Sequence, residues 1–213
     1  MNRAILFVLI STILIGCSKN EPPITIVNDL NPENGVKTTY TINGVQRQFI
    51  LYKPSNLPSN APLVFVLLGY TQTAERFYSI GFNQIADTAN FLLCFPQGIS
   101  NAWNIYENNS ADVIFLRTLA KDLQVQHSLS STKTFAAGFS MGAAMCNVLA
   151  LDASETFKAV APVAGFVLQS IWSVKNPQYN IPYFTIHGTA DQTVPITGFL
   201  GSNPSTQTIV DYW

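Results

Sequence analysis

The chain has 213 residues, 47% of them apolar and 11% charged, with a formal net charge of −1. That length suits one hydrophobic core, and so few charges exclude a disordered chain. It has no basic run, which argues against a nucleic-acid partner, and no segment after the first twenty residues has the length and apolarity of a membrane span.

The first residues differ from the rest. Met1-Asn2-Arg3 is a positive leader, residues 4–15 are apolar, and Leu14-Ile15-Gly16-Cys17 has the form of a bacterial lipobox. Residues 1–16 are therefore expected to be a lipoprotein signal peptide, with Cys17 acylated and the folded part held outside the cytoplasm by lipid alone. An uncleaved anchor helix or a plain secretory signal is the alternative. Ser18 after Cys17 favours the outer membrane or cell surface. Residues 17–37 carry Pro22, Pro23, Pro32 and Gly35 and read as a tether. A single domain is expected over 38–213. Cys94 and Cys146 sit in apolar runs and read as buried free thiols rather than a disulfide or metal ligands.

Segments 38–42 and 45–53 are β-rich and joined by Asn43-Gly44, a strong hairpin signal. Residues 63–68 (LVFVLL) form an uninterrupted apolar run ended by Gly69, as in a strand buried on both faces. A helix is expected over 73–89, then a strand over 91–95 stopped by Pro96. Residues 97–109, with Trp103, read as a surface loop. The spacing of Val113, Leu116, Leu119 or Ala120, and Leu123 predicts a helix over 111–127 capped by Ser110. Strands follow at 134–137, 159–164 and 182–186, with irregular chain over 166–180 and a helix beginning near Thr206. A hairpin followed by alternating strands and helices is an α/β arrangement with a mostly parallel sheet.

Within it, Gly138-Phe139-Ser140-Met141-Gly142 matches Gly-x-Ser-x-Gly. This spacing suits a nucleophile elbow, a sharp turn from strand to helix that needs small residues two before and two after the serine. The flanks supply the required context, with a buried strand entering and an Ala-, Met- and Leu-rich helix leaving. In any other setting Ser140 is a small residue in a tight turn.

These motifs, taken with the LYKP strand end, LVFVLLGY, FNQIADTANFLLCFPQG followed by Trp103-Asn104, ADVIFL, AVAPVAG and IHGTADQTVP, resemble an esterase family of the α/β-hydrolase fold. The chain is similar to polyhydroxybutyrate depolymerases and to feruloyl and acetylxylan esterases from about residue 38 onward. The resemblance implies Ser140 as nucleophile, Asp191 as the acid of a triad, and an oxyanion hole from the N–H groups of Met141 and Tyr70. Asp191 also has a simpler reading, as a cap on the turn before Pro195. Trp103 is a candidate substrate contact, although such aromatics are more often core or rim residues. The implied substrate is a carboxylic ester, possibly polymeric, and neither a metal nor an organic cofactor is implied.

The chain departs from the family pattern twice. Leu68-Gly69 stands where the family has His-Gly, which bears on the oxyanion loop. The fold orders its triad Ser, acid, His, yet no histidine follows Asp191; only His127 and His187 exist. The expectation is a hydrolase domain incomplete at its C-terminus and lacking its catalytic histidine. The alternative is a non-catalytic lipoprotein that binds carbohydrate or polymer through Trp103, Trp172 and nearby tyrosines.

Overall fold

The computed structural model describes residues 29–199 and 201–213. The expected signal peptide, Cys17 and most of the tether lie outside the described residues. Six strands form one sheet in the order β1-β2-β4-β3-β5-β6. They are β1 Lys37–Ile42, β2 Val45–Tyr52, β3 Leu63–Leu67, β4 Leu92–Gln97, β5 Thr134–Phe139 and β6 Ala159–Val163. β1 and β2 are the antiparallel hairpin, β2 runs antiparallel to β4, and β4, β3, β5 and β6 are mutually parallel. Asn43 and Gly44 both take positive φ (49° and 76°), as the two-residue hairpin turn requires.

The segment 183–186 continues the sheet beyond β6 through bridges Val160–Tyr183 and Val163–Ile186, shorter than the strand expected there. Its backbone still alternates with β6. Val160 and Ala164 donate to Pro182 and Ile186, while Phe184 and Ile186 donate to Val160 and Pro162.

The helices are α1 Ala74–Tyr78, α2 Phe82–Ala89, α3 Ala111–Gln126, α4 Met141–Asp152, α5 Gln169–Ser173 and α6 Thr206–Tyr212. The single helix expected over 73–89 is two. The hydroxyl of Ser79 donates to Arg76 O, and Gly81 takes φ 97° before α2 restarts. Pro96 does not stop β4 either. The β3–β4 pairing ends at Cys94, so beyond it only β2 lies alongside, where Pro96 opposes Phe49. The loop expected to lie on the surface is pinned inward, with Trp103 and Ile105 buried. α5 falls in a stretch read as irregular. Ser110 caps α3 as expected, accepting from the N–H of Val113, and Ser205, which the sequence reading did not single out, accepts likewise from that of Thr208 at the start of α6.

The larger core packs α3 and α4 onto one face of the sheet around Phe49, Phe65, Leu116, Met145 and Phe157. A second core sets α1 and α2 against Ile50, Val66, Leu93 and Phe95 on the other face. Cys94 and Cys146 are buried free thiols, and burial raises the pKa of both. No helix among the described residues is long and apolar enough to cross a membrane.

Candidate active site

The parallel strands deliver their carboxyl ends to one edge, and the Gly-x-Ser-x-Gly segment lies there. β5 ends at Phe139 and α4 starts at Met141, so Ser140 alone makes the turn, at φ 55° and ψ −117°. A non-glycine residue is held in such a sparsely populated conformation only when its surroundings over-determine it. Here the N–H of Ser140 donates to Val163 O (3.0 Å), and its carbonyl accepts from Ala144 (2.9 Å).

The two glycines are required by close approach. A Cβ on Gly138 would lie 2.4 Å from Gly142 O, and one on Gly142 would lie 2.2 Å from Leu67 O. The second contact presses the start of α4 against the end of β3, and so brings the loop after β3 to the elbow.

Ser140 is partly exposed, and its hydroxyl makes no hydrogen bond among the described residues. The N–H of Met141 stands in the first turn of α4, where no intrahelical acceptor exists. The N–H of Tyr70, in the loop beside the elbow, likewise has no hydrogen-bond acceptor among the described residues. Unpaired N–H donors in the elbow and in the loop packed against it are the kind of group that an anionic tetrahedral intermediate needs.

The rest of the loop is held by side chains whose bracing role the sequence does not mark. The indole N–H of Trp103 donates to Leu68 O (2.8 Å). Gln72 Oε1 accepts from the N–H of Gly69 (2.9 Å). Gln97 is 8% exposed; its Oε1 accepts from Ala74 N (2.8 Å), and its Nε2 donates to Gln72 O (3.1 Å) and Asn101 Oδ1 (3.0 Å). Thr71 N donates to Asn101 O (2.8 Å). No sequence pattern marks a glutamine that reaches back more than twenty residues; an isolated Gln at the end of an apolar strand was the only signal. Trp103 is thus not a stacking surface. It is 2% exposed because its ring fills the space under the loop and its one donor is used there. Trp172 is also buried, edge-on to Tyr212.

Asp191 lies in the loop after segment 183–186, beyond the same edge. Its Oδ1 accepts from the N–H groups of Thr193 and Val194, both at 2.9 Å. The Val194 N–H above all, helped by that of Thr193, holds its carboxyl below the usual carboxylate range. Its Oδ2 lies 3.8 Å from His187 Nε2. In this arrangement Asp191 shapes the 191–194 turn, and no hydrogen bond links it to Ser140.

Neither histidine reaches the serine. The His187 side chain is 2% exposed, with Nε2 2.7 Å from Val194 O and Nδ1 3.2 Å from Thr206 Oγ1, so both ring nitrogens are committed. His127 caps the end of α3, where Nε2 lies 2.5 Å from Leu30 O and burial lowers its pKa. The next residue, Ser128, accepts from Asn60 just before β3, which puts His127 at the amino edge of the sheet, opposite the elbow. It is half-buried.

Residues 114–209 match the Phospholipase/Carboxylesterase family. The chain is 29% identical over 128 residues to poly(3-hydroxyalkanoate) depolymerase C of Paucimonas lemoignei, covering 55% of this chain and 31% of that protein. It is 31% identical to a probable feruloyl esterase C of Aspergillus clavatus, covering 75% and 59%. A bifunctional acetylxylan esterase/xylanase of Neocallimastix patriciarum is 26% identical, covering 74% and 24%. Among solved structures, a thermostable esterase superposes with a TM-score of 0.61 at 18% identity, covering 76% of this chain and 48% of that one. Acetyl xylan esterase from Aspergillus awamori does so with a TM-score of 0.57 at 22%, covering 62% and 53%.

Fold and relatives together define the class: an α/β-hydrolase-fold chain similar to carboxylic-ester hydrolases. It spans about a third or less of the depolymerase and of the acetylxylan esterase/xylanase.

Proposed function

We propose that this domain is the nucleophile-bearing part of a serine esterase that forms an acyl-enzyme on Ser140. The observation that carries the reading is the strained, partly exposed Ser140 together with the unpaired N–H groups of Met141 and of Tyr70 in the loop packed against the elbow. Ser140 Oγ attacks the ester carbonyl carbon while a base takes its proton. The carbonyl oxygen becomes an oxyanion facing Met141 and Tyr70. The C–O bond to the alcohol then breaks, the alcohol leaves with a proton from the base, and water later releases the acid. Asp191, at the same edge of the sheet, would orient the imidazole once one is present.

The substrate class is a carboxylic ester, either a hydroxyalkanoate polyester or a feruloyl or acetyl ester on polysaccharide, in keeping with the relatives. A lipid anchor at Cys17 would place the domain outside the cytoplasm, facing such polymers. The non-catalytic binding alternative loses both of its tryptophans, since Trp103 and Trp172 are buried, and would rest on exposed tyrosines such as Tyr106 and Tyr179.

Because His187 is fully committed, the 213-residue chain should hydrolyse p-nitrophenyl acetate at the uncatalysed rate. Added imidazole supplies the missing base. It should raise turnover above the imidazole-only rate in the wild-type chain and not in Ser140→Ala. Equal rates in the two proteins would count against an acyl-enzyme on Ser140. Turnover without imidazole that Ser140→Ala abolishes would instead show that a resident base exists.

A further inference from the structure

The loop between β3 and α1 carries more side-chain bracing than a connection of its length needs. Gly69 N is bound to Gln72 Oε1, Thr71 N to Asn101 O, Gln72 N to Gly69 O and Ala74 N to Gln97 Oε1, while Leu68 O takes the Trp103 indole. Tyr70, next to the elbow, keeps its N–H unpaired. Thr71 is held at φ 65°, a left-handed conformation that a threonine adopts only under constraint. The pivot is Gln97 on β4, whose side-chain amide touches three points of the assembly at once.

We propose that Gln72 and Gln97 are positioning residues for the oxyanion hole. They occupy the competing N–H groups of the loop and lock its backbone, so that the N–H of Tyr70 is presented to the carbonyl oxygen of the substrate. This rests on the serine-esterase reading. Here the bracing comes from Gln72 within the loop and from Gln97, Asn101 and Trp103 across it. The physical basis is preorganisation: a donor held in place before reaction costs no reorganisation when charge develops. An unbraced loop lets Gly69 or Tyr70 rotate toward water or a neighbouring carbonyl.

Two measurements on the full chain test this. In 15N-labelled protein, the Gly69 amide should exchange at least about tenfold faster in Gln72→Met than in wild type. Protection should persist in Gln72→Glu, which keeps an acceptor at the same reach, and core amides of β3 should be unchanged in both. Equal Gly69 protection in Gln72→Met and wild type would overturn the proposal.

The second measurement uses phenylboronic acid. Its boron accepts Ser140 Oγ with loss of the hydroxyl proton to buffer, giving a tetrahedral anion that mimics the intermediate. Affinity should fall about tenfold or more in Gln72→Met and Gln97→Met and vanish in Ser140→Ala. Undiminished affinity in both glutamine variants would overturn the proposal while leaving Ser140 in its role. Absence of an adduct in the wild-type chain would overturn the esterase reading, and the proposed role of the glutamines with it.

Discussion

At the scale of single residues, the site depends on contacts that allow no side chain. Gly142→Ala would drive a Cβ to 2.2 Å from Leu67 O, a backbone atom of a central strand that cannot yield cheaply. The expected cost is about 1–3 kcal/mol of stability from overpacking, read from urea denaturation. The variant should also lose imidazole-supported turnover, because the same movement shifts the Met141 donor. Ser140 was marked by its motif only together with the strand that enters it and the helix that leaves it. The Met141 and Tyr70 donors came only with the family resemblance, and the φ of 55° and the unpaired state of those two N–H groups depend on strands β3 and β6 closing around Ser140. Of the two readings of Asp191, the turn-capping one describes the contacts that it makes here.

Secondary-structure elements are tied together by buried polar pairs. The guanidinium of Arg47 on β2 pairs with Asp112 in the first turn of α3 and lies over the Phe115 ring, both charged groups being nearly inaccessible. Asp112 also accepts from Asn104 N, which fixes the end of the loop that carries Trp103. Arg47→Leu should therefore destabilise the chain by about 3–5 kcal/mol, because it leaves a carboxylate buried without its partner; urea midpoints read this directly.

Tyr40 on β1 donates to Asp122 on α3 at 2.5 Å, and burial first, then that carboxylate, raises its pKa well above the ordinary 10.0. A phenol with a raised folded-state pKa holds more protons folded than unfolded at high pH. Its contribution is thus complete below pH 10 and lost as the pH climbs beyond. Stability measured from pH 9 to 11 should fall in wild type and fall less steeply in Tyr40→Phe. None of these pairs was visible in the sequence, where Arg47, Asp112 and Asp122 are ordinary charges in strand and helix patterns. What the patterns did carry was the hairpin, the buried strands and the Ser110-capped helix α3, because those follow from local periodicity and turn chemistry. The break at Ser79–Gly81 and the inward pull on Trp103 are decided by tertiary packing, which overrides both.

At the scale of the whole molecule, the sheet is covered unevenly. On the face opposite α4, alternate residues Phe135, Ala137 and Phe139 of β5 and Ala159, Ala161 and Val163 of β6 are partly or fully accessible, and Phe184 and Ile186 beside them are 64% and 54% exposed. Two apolar hollows of about 290 and 270 Å³ lie along this face. A contiguous apolar surface of this kind binds hydrophobic dyes and promotes association. The chain should enhance 1-anilinonaphthalene-8-sulfonate fluorescence while folded, and Phe184→Lys should reduce that signal without changing the urea midpoint by more than about 0.5 kcal/mol.

The carboxyl edge of the same sheet gathers the elbow, the β3 loop and the Asp191 loop, although they are separated by some seventy residues on one side and fifty on the other. That gathering rests on the parallel order of β4, β3, β5 and β6, which the alternation of strands and helices already implied. The measurement that bears most directly on it is mass spectrometry of the chain treated with diethyl p-nitrophenyl phosphate, with and without imidazole. The account predicts one diethylphosphoryl group, on Ser140, formed slowly alone and faster with imidazole. Modification that bypasses Ser140, or none even with imidazole, would contradict it.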